Sequence, residues 1–528
     1  MNFFKQFEGR PDWATSVGIH SLIPNYRQRR AQFEEILSRK EPLQYPLLPL
    51  QKKSVANAAA LNYHMLADDM GLGKTAQSLA VDALGGHQKT LILCPSNVKK
   101  VWKAEIEKFL GLKQRHVYVG AGKDFVDLGS KVIRHFRFFI FNYEVLNVAD
   151  KTPTVIPPVL LECTHHILDE VHAMRNAEAK KTMYYEFMLG QNPPPGLTLL
   201  SGTPVDRYIG ELYVYLSLLD KNPHSRVKRA LEYWFPNATL FGDRYGMGKD
   251  NDGVVSSVRD YSGFHQTDRT QREIYDLIGP RICQRKIEEV VTLPKKNTTE
   301  VFIPNGAFIN INMEEVRETF KRALQMAMRG RGGWKKFDKS ADEEGKGVDP
   351  DLLFMAQTQK LRKQIAEAMV PFTLGRAVQN REKLGPVVVF SEFLSPLDLF
   401  KANIEKTGKR CLMAIGQQRM PLWERDNNIR MFKEGRADYL LATYGAMSEG
   451  ENLQQFRCLM YNDLSWQPLI MKQSERRIWR IGQENEVFID YMLCSADQTI
   501  RNTLENKTKM IQAFEGILQK TKKEYGLV

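Results

Sequence analysis

Apolar positions along this chain come as short unbroken runs, and the runs fall into two blocks. The first block contains Leu91-Ile92-Leu93-Cys94, Phe138-Phe139-Ile140-Phe141, His166-Ile167-Leu168 and Leu197-Thr198-Leu199-Leu200. The second contains Val387-Val388-Val389-Phe390, Tyr439-Leu440-Leu441-Ala442, Cys458-Leu459-Met460-Tyr461 and Val487-Phe488-Ile489-Asp490. Helical patterns separate the runs. A strand with one wet face alternates apolar and polar residues, whereas a continuous run predicts a parallel strand covered on both faces by helices. Two such blocks predict two α/β lobes with parallel sheets, at residues 45–220 and 381–528. The stretch 221–380 is more polar and richer in helix formers, and reads as helical insertions and a linker. Within it, Arg329-Gly330-Arg331-Gly332-Gly333 through Asp349-Pro350 has the glycines and mixed charge of a surface loop or hinge. Residues 1–44 read as a small helical extension carrying the basic Arg27-Gln28-Arg29-Arg30. No repeat at solenoid periods is present.

Composition narrows the class. With 528 residues, 43% hydrophobic and 26% charged, the chain is globular and too long for one ordinary domain. No apolar stretch reaches the roughly eighteen residues of a membrane span, and the start Met1-Asn2-Phe3-Phe4-Lys5 lacks a signal-peptide core. No membrane partner is expected. A cytoplasmic location in a bacterial or phage-infected cell is, or a nuclear one in a eukaryote. The six cysteines are scattered without a CxxC pair, which fits a reducing compartment and not a zinc module. His165-His166 enter an apolar strand without partners at ligand spacing, so packing is their expected role. The formal charge of +13 directs attention to a polyanionic partner.

Two segments carry chemistry. Asp68-Asp69-Met70-Gly71-Leu72-Gly73-Lys74-Thr75 has the end of a P-loop, in which backbone N–H groups cradle phosphate at a helix N-terminus. Lys74 would reach the β/γ-phosphates of ATP, and the Thr75 hydroxyl would bind Mg²⁺. The usual first glycine is replaced by Asp68. Downstream, the apolar His166-Ile167-Leu168 ends in Asp169-Glu170. Asp169 is placed to hold Mg²⁺, and Glu170 to orient and deprotonate the attacking water.

With these residues in view, the chain resembles the SNF2 group of superfamily-2 helicase-type motors. Leu66-Ala67-Asp68-Asp69-Met70-Gly71-Leu72-Gly73-Lys74-Thr75 is similar to the SNF2 form of motif I, in which an acidic pair precedes the loop. Asp169-Glu170-Val171-His172 resembles motif II, and Ser201-Gly202-Thr203-Pro204 resembles motif III. Gln51 stands like the adenine-reading glutamine. Pro95-Ser96 with Trp102 resembles the DNA-contacting motif Ia, and Asn142-Tyr143-Glu144 resembles the motif after it. In the second block Val389-Phe390-Ser391 resembles motif IV, Gly450-Glu451-Asn452-Leu453 the end of motif V, and Asp463-Leu464-Ser465-Trp466-Gln467-Pro468 the aspartate–tryptophan segment. Gln473-Ser474-Glu475-Arg476-Arg477-Ile478-Trp479-Arg480-Ile481-Gly482-Gln483 resembles motif VI. The resemblance makes Arg477 and Arg480 arginine fingers and Gln473 a helper at the γ-phosphate.

It further implies two tandem RecA-like lobes and a monomeric, DNA-stimulated ATPase that tracks duplex or branched DNA with little sequence specificity. Lys99, Lys100 and Lys103 beside Pro95-Ser96 are the expected phosphate contacts, with Asn142, Tyr143 and Trp466 as further DNA contacts. Trp102 and Phe109 read as core. Motif V departs from the common form over Thr443-Tyr444-Gly445-Ala446-Met447-Ser448-Glu449, and Trp479 stands where histidine is frequent. Phe241-Gly242-Asp243-Arg244-Tyr245 with Arg285-Lys286 and Leu293-Pro294-Lys295 resembles the compact annealing-helicase branch. Two alternatives stay open on sequence alone: a strand-separating helicase, and a DNA-binding scaffold with a decayed nucleotide site.

Overall fold

The computed structural model describes residues 25–112, 114–122, 124–149, 156–202, 204–205, 211–224, 246–247, 263–264, 274, 277–309, 311–328, 350–416, 419–447, 452–497, 515–516, 519 and 523. Residues 1–24, Thr203, the 241–245 segment, the glycine-rich 329–349 stretch and residues 448–451 of motif V lie outside that set. The chain divides into two compact units. The first comprises Met1–Ser256, Tyr261–Val290 and Lys509–Val528, and the second Ser257–Asp260 and Val291–Thr508.

In the first unit the strands are β1 (Tyr63–Leu66), β2 (Thr90–Cys94), β3 (Val117–Val119), β4 (Phe138–Asn142), β5 (His165–Leu168), β6 (Gly196–Leu200) and β9 (Ile282–Cys283). They form one sheet in the order β3-β4-β2-β5-β6-β1-β9, and every pairing is parallel. A separate two-residue antiparallel pair joins β7 (Gly246–Met247) to β8 (Gly263–Phe264). The second unit holds β10 (Lys296–Phe302), β11 (Val387–Ser391), β12 (Cys411–Ala414), β13 (Tyr439–Thr443), β14 (Cys458–Tyr461) and β15 (Val487–Leu493), in the order β10-β15-β14-β11-β13-β12, again all parallel. These are the two α/β units that the apolar runs predict, and all eight runs are strands.

The runs are continuous because both faces of each sheet are buried. In β2, Leu91 and Leu93 enter one core cluster and Ile92 and Cys94 the other. In β11, Val387 and Val389 face one cluster while Val388 and Phe390 face its counterpart. Burial at about 25 cal/mol per Å² of apolar surface makes this double layer the main stabilising term of each unit.

The stretch 221–380 is not helical throughout. Helices Met313–Met328 and Pro350–Leu384 pack against the second unit's core, but Ile282–Cys283 closes the first sheet and Lys296–Phe302 opens the second. The latter strand, with sequence KNTTEVF, is a sheet edge that is mostly exposed, so it needs no apolar run.

Three histidines of the first unit are held as neutral rings, His64 and His166 fully buried and His87 half-buried. His64 of β1 and His166 of β5 are held down to about 3, and His87 to about 4, in each case chiefly because burial penalises the charged form. His166 Nδ1 lies 2.9 Å from the Tyr185 hydroxyl, and His165 bridges Asp82 (3.0 Å) and Thr198 (2.8 Å), so the His165-His166 pair is a packing and hydrogen-bonding feature. The unfolded chain takes up protons on such rings below its ordinary imidazole pKa of about 6.5, and the folded chain does not until near 3. Their contribution to stability is therefore complete above pH 6.5 and lost as pH falls toward 3. The limiting slope is about 1.4 kcal/mol per pH unit for each ring. Thermal midpoints measured across this range are expected to fall with acidification. The His64→Leu, His166→Phe double variant should show a visibly shallower fall; an unchanged slope would refute the assignment.

Candidate nucleotide site

The strand register brings the chemistry to one edge. Leu66 pairs with Leu200, Leu168 with Leu199, Leu93 with Leu168, and Cys94 with Asn142. The segments that follow β1, β6, β5, β2 and β4 therefore leave the carboxyl edge of the sheet together, where open parallel sheets bind ligands.

The loop after β1 turns through Gly71 (φ 88°) and Gly73 (φ 72°) into the helix Lys74–Leu84. At Gly73 any side chain would be strained by φ, and a Cβ would also lie 2.8 Å from Gln51 Nε2. Gln51 sits at the third position of the helix Pro49–Leu61, accepts the Leu48 N–H (2.9 Å), and donates to the Leu72 carbonyl (2.9 Å). Its side chain is thus attached directly to the loop. The Lys74 ammonium donates to the carbonyls of Asp68 (2.8 Å) and Asp69 (3.4 Å). From the β6 side, Gly202 closes on the same group: a Cβ there would meet Met70 Cγ at 3.1 Å and Lys74 Nζ at 3.8 Å.

The acidic pair before the loop has a partner that sequence reading did not find. The Asp68 carboxylate is fully buried and takes both Nε and Nη2 of Arg285, the Arg285 backbone N–H (3.0 Å), and Gln77 Nε2 (2.9 Å). Arg285 also donates to Gln77 Oε1 (2.8 Å) and to the Leu50 carbonyl. Burial pulls this guanidinium down, but Asp68 more than offsets it and leaves its pKa raised. Asp69 Oδ2 accepts the Ile287 N–H at 3.3 Å. The two carboxylates thus bolt the β1 end to the segment after β9. Arg285→Met should cost about 3–5 kcal/mol of stability in chemical denaturation, because Asp68 would be left buried without its cation. Adding Asp68→Asn should recover most of that loss; a single-variant cost under about 1 kcal/mol would contradict the role.

At the end of β5, Asp169 is pinned from several sides. Its N–H donates to the Leu93 carbonyl (2.8 Å), and its own carbonyl accepts the Tyr143 hydroxyl (2.7 Å). Its carboxylate accepts Trp102 Nε1 on Oδ2 (2.7 Å) and the Glu170 N–H on Oδ1 (3.0 Å). Glu170 has left-handed backbone, φ 49° and ψ 53°, a conformation unusual for a non-glycine residue and concentrated at functional sites. Its Oε2 lies 3.2 Å from His172 Nδ1. Thr75 is half-buried in the first turn of the Lys74 helix. Thr75 and Asp169 together offer the hard oxygen donors that suit Mg²⁺, and the glycine-lined loop fits a phosphate chain.

The expected DNA contacts divide. Pro95 and Ser96 follow β2, and the helix Lys99–Leu110 carries an exposed Lys100 with half-buried Lys99 and Lys103. Lys99 Nζ donates to the Gly120 carbonyl (3.0 Å). Asn142 is half-buried at the end of β4 and donates to Glu144. Tyr143 and Trp466 do not present side chains to a ligand. Tyr143 is 2% exposed and supports Asp169 from within the core. Trp466 is 6% exposed, edge-on to Phe320 and beneath the Arg362 guanidinium (4.5 Å). An aromatic beside a motif is not distinguishable in sequence from one beneath it. Trp102 is buried, as its spacing predicts, but its indole N–H also serves Asp169.

In the second unit the helix Pro468–Glu475 and the turn after it carry Gln473, Arg477 and Arg480. Gln473 and Arg477 are about 5% exposed, and Arg480 is half-buried. The Leu453 N–H donates to the Arg477 carbonyl (2.9 Å), and Arg480 donates to Asn452, so the end of motif V braces motif VI. Trp479 Nε1 donates to the Pro294 carbonyl (2.8 Å), with Lys296 and Arg476 over its ring. That fit accounts for tryptophan at this position.

A glycine-bent phosphate loop, an Asp-Glu strand end beside it, and two parallel α/β units define a P-loop ATPase with tandem RecA-like lobes. The SNF2-related domain model matches residues 51–318, slightly over half the chain, and the helicase conserved C-terminal domain model matches 366–482. The chain belongs to the SNF2-related family of superfamily-2 ATPases. It is similar to the Drosophila melanogaster SWI/SNF-related matrix-associated actin-dependent regulator of chromatin subfamily A-like protein 1, at 24% identity over 88% of this chain and 55% of that protein. It is also similar to the putative ATP-dependent helicase/translocase YwqA of Bacillus subtilis, at 24% identity over 84% of this chain and 45% of that protein. The chain spans about half the length of these curated relatives. Among solved structures, the Sulfolobus solfataricus SWI2/SNF2 ATPase core in complex with dsDNA aligns at 17% identity and a TM-score of 0.39, covering 91% of this chain and 96% of that one.

Proposed function

We propose that this protein is a DNA-stimulated ATP hydrolase that moves along duplex DNA as a monomer and thereby remodels protein–DNA complexes or branched DNA. The observation that carries the reading is the meeting of Lys74, Gly202 and the Asp169-Glu170 strand end at one sheet edge, with the lysine-bearing helix Lys99–Leu110 tied to the same Asp169. Thr75 and Asp169 would hold Mg²⁺, which would screen phosphate charge when bound. Lys74 neutralises the β/γ-phosphates, Gln51 reads the adenine, and the loop N–H groups of Met70, Gly71, Gly73, Lys74 and Thr75 cradle the phosphates. Glu170 takes the proton of the attacking water while His172 orients its carboxylate. Arg477 and Arg480, with Gln473, meet the charge that develops on the transferring phosphoryl group. Pro95, Ser96, Lys99, Lys100, Lys103 and Asn142 contact the DNA backbone, which confers affinity without sequence reading and makes binding fall steeply with salt.

Two displacement substrates test the reading. A translocase removes the third strand of a triplex in an ATP-dependent way and leaves a tailed duplex paired. Separation of the tailed duplex without triplex displacement would favour a strand-separating helicase instead.

A further inference from the structure

We infer that Trp102 is a positioning residue that clamps the Asp169 carboxylate and ties it to the helix carrying Lys99, Lys100 and Lys103. The inference rests on the proposed role of Asp169 as a Mg²⁺ ligand. An indole N–H is a donor only, so at 2.7 Å from Oδ2 it requires an accepting carboxylate oxygen and fixes which way the carboxylate faces. The other contacts to Asp169 from Leu93, Tyr143 and the Glu170 N–H are made by or to the local backbone. Trp102 reaches the acid at its carboxylate, through a side chain of another element. Its ring is 1% exposed and packs in the same core layer as Ile106 of its own helix and Cys94 of β2.

The helix itself is built in an unusual way. It opens Lys99-Lys100 with no acidic residue in its first turn, an arrangement the positive end of a helix dipole disfavours and a bound anion would relieve. Lys103 follows Trp102 directly. A phosphate drawn to the lysines therefore loads a rigid rod whose inner side chain holds the metal-binding acid. Backbone contact with DNA is read at Asp169 through the Trp102 hydrogen bond.

The test compares the native protein with Trp102→Phe and with a site-specific replacement of the indole by its benzothiophene analogue, which keeps the shape and removes the N–H. ATP binding and ATP hydrolysis are each titrated with Mg²⁺, with and without duplex DNA. Both variants should need about tenfold more Mg²⁺ for half-maximal turnover, the usual scale for losing an outer partner of a metal ligand. Both should show a reduced ratio of DNA-stimulated to basal rate, with Mg²⁺-free ATP binding and DNA affinity unaltered. A native Mg²⁺ requirement in the benzothiophene variant overturns the positioning role. A raised requirement with an unaltered stimulation ratio overturns transmission through the helix. If the native protein is not stimulated by DNA, the proposed function fails together with that transmission, and the titration without DNA still decides whether Trp102 positions Asp169.

Discussion

Glu170→Gln is expected to keep ATP bound and to lower its turnover by about 10²–10⁴-fold, the usual contribution of a general base. The residue follows β5 in left-handed backbone, which directs its carboxylate away from the strand and toward His172 at 3.2 Å. Glutamine has the same shape and can keep that backbone, but it cannot accept a proton. Single-turnover hydrolysis measured beside nucleotide binding separates the two effects. Unaltered turnover would mean that another group takes the proton. Equal turnover of variant and native protein at a barely detectable rate would instead describe a scaffold with a decayed site.

The second large effect falls on the other unit. Arg477→Ala and Arg480→Ala should each reduce kcat by about 10³–10⁵-fold, as loss of an arginine finger does in phosphoryl transfer, with a much smaller change in ATP affinity. Lysine at either position should restore little, because it lacks the planar fork that matches phosphoryl oxygens. Arg480 is held by Asn452, and the Arg477 backbone is held by Leu453. Asn452→Ala should accordingly show a weaker version of the same defect. A variant that loses ATP affinity and kcat in proportion would place these arginines in ground-state binding.

Much of this was legible in the chain. Unbroken apolar runs such as Leu91–Cys94 and Val387–Phe390 announce strands buried on both faces, and they are. The glycine turns after β1 and the Asp169-Glu170 strand end are local patterns, displayed by the sequence and by its resemblance. What stayed hidden depends on distant partners. Arg285 lies 217 positions from Asp68, and no local signal announces that a charge in motif I is spent on a buried ion pair. Trp102 shows its burial by spacing but not the acid its indole meets, 67 positions away. Tyr143 and Trp466 sit in motif-like segments, yet their rings complete the cores of their own units. The edge strand Lys296–Phe302 carries no apolar run because its exposed position requires none.

DNA-stimulated hydrolysis is tested by the steady-state rate of ATP turnover with single-stranded, duplex, forked and four-way DNA over a range of salt. A low rate without DNA is expected, with strong stimulation by every substrate that offers duplex backbone, falling as salt rises. Equal rates with and without each DNA would contradict that stimulation.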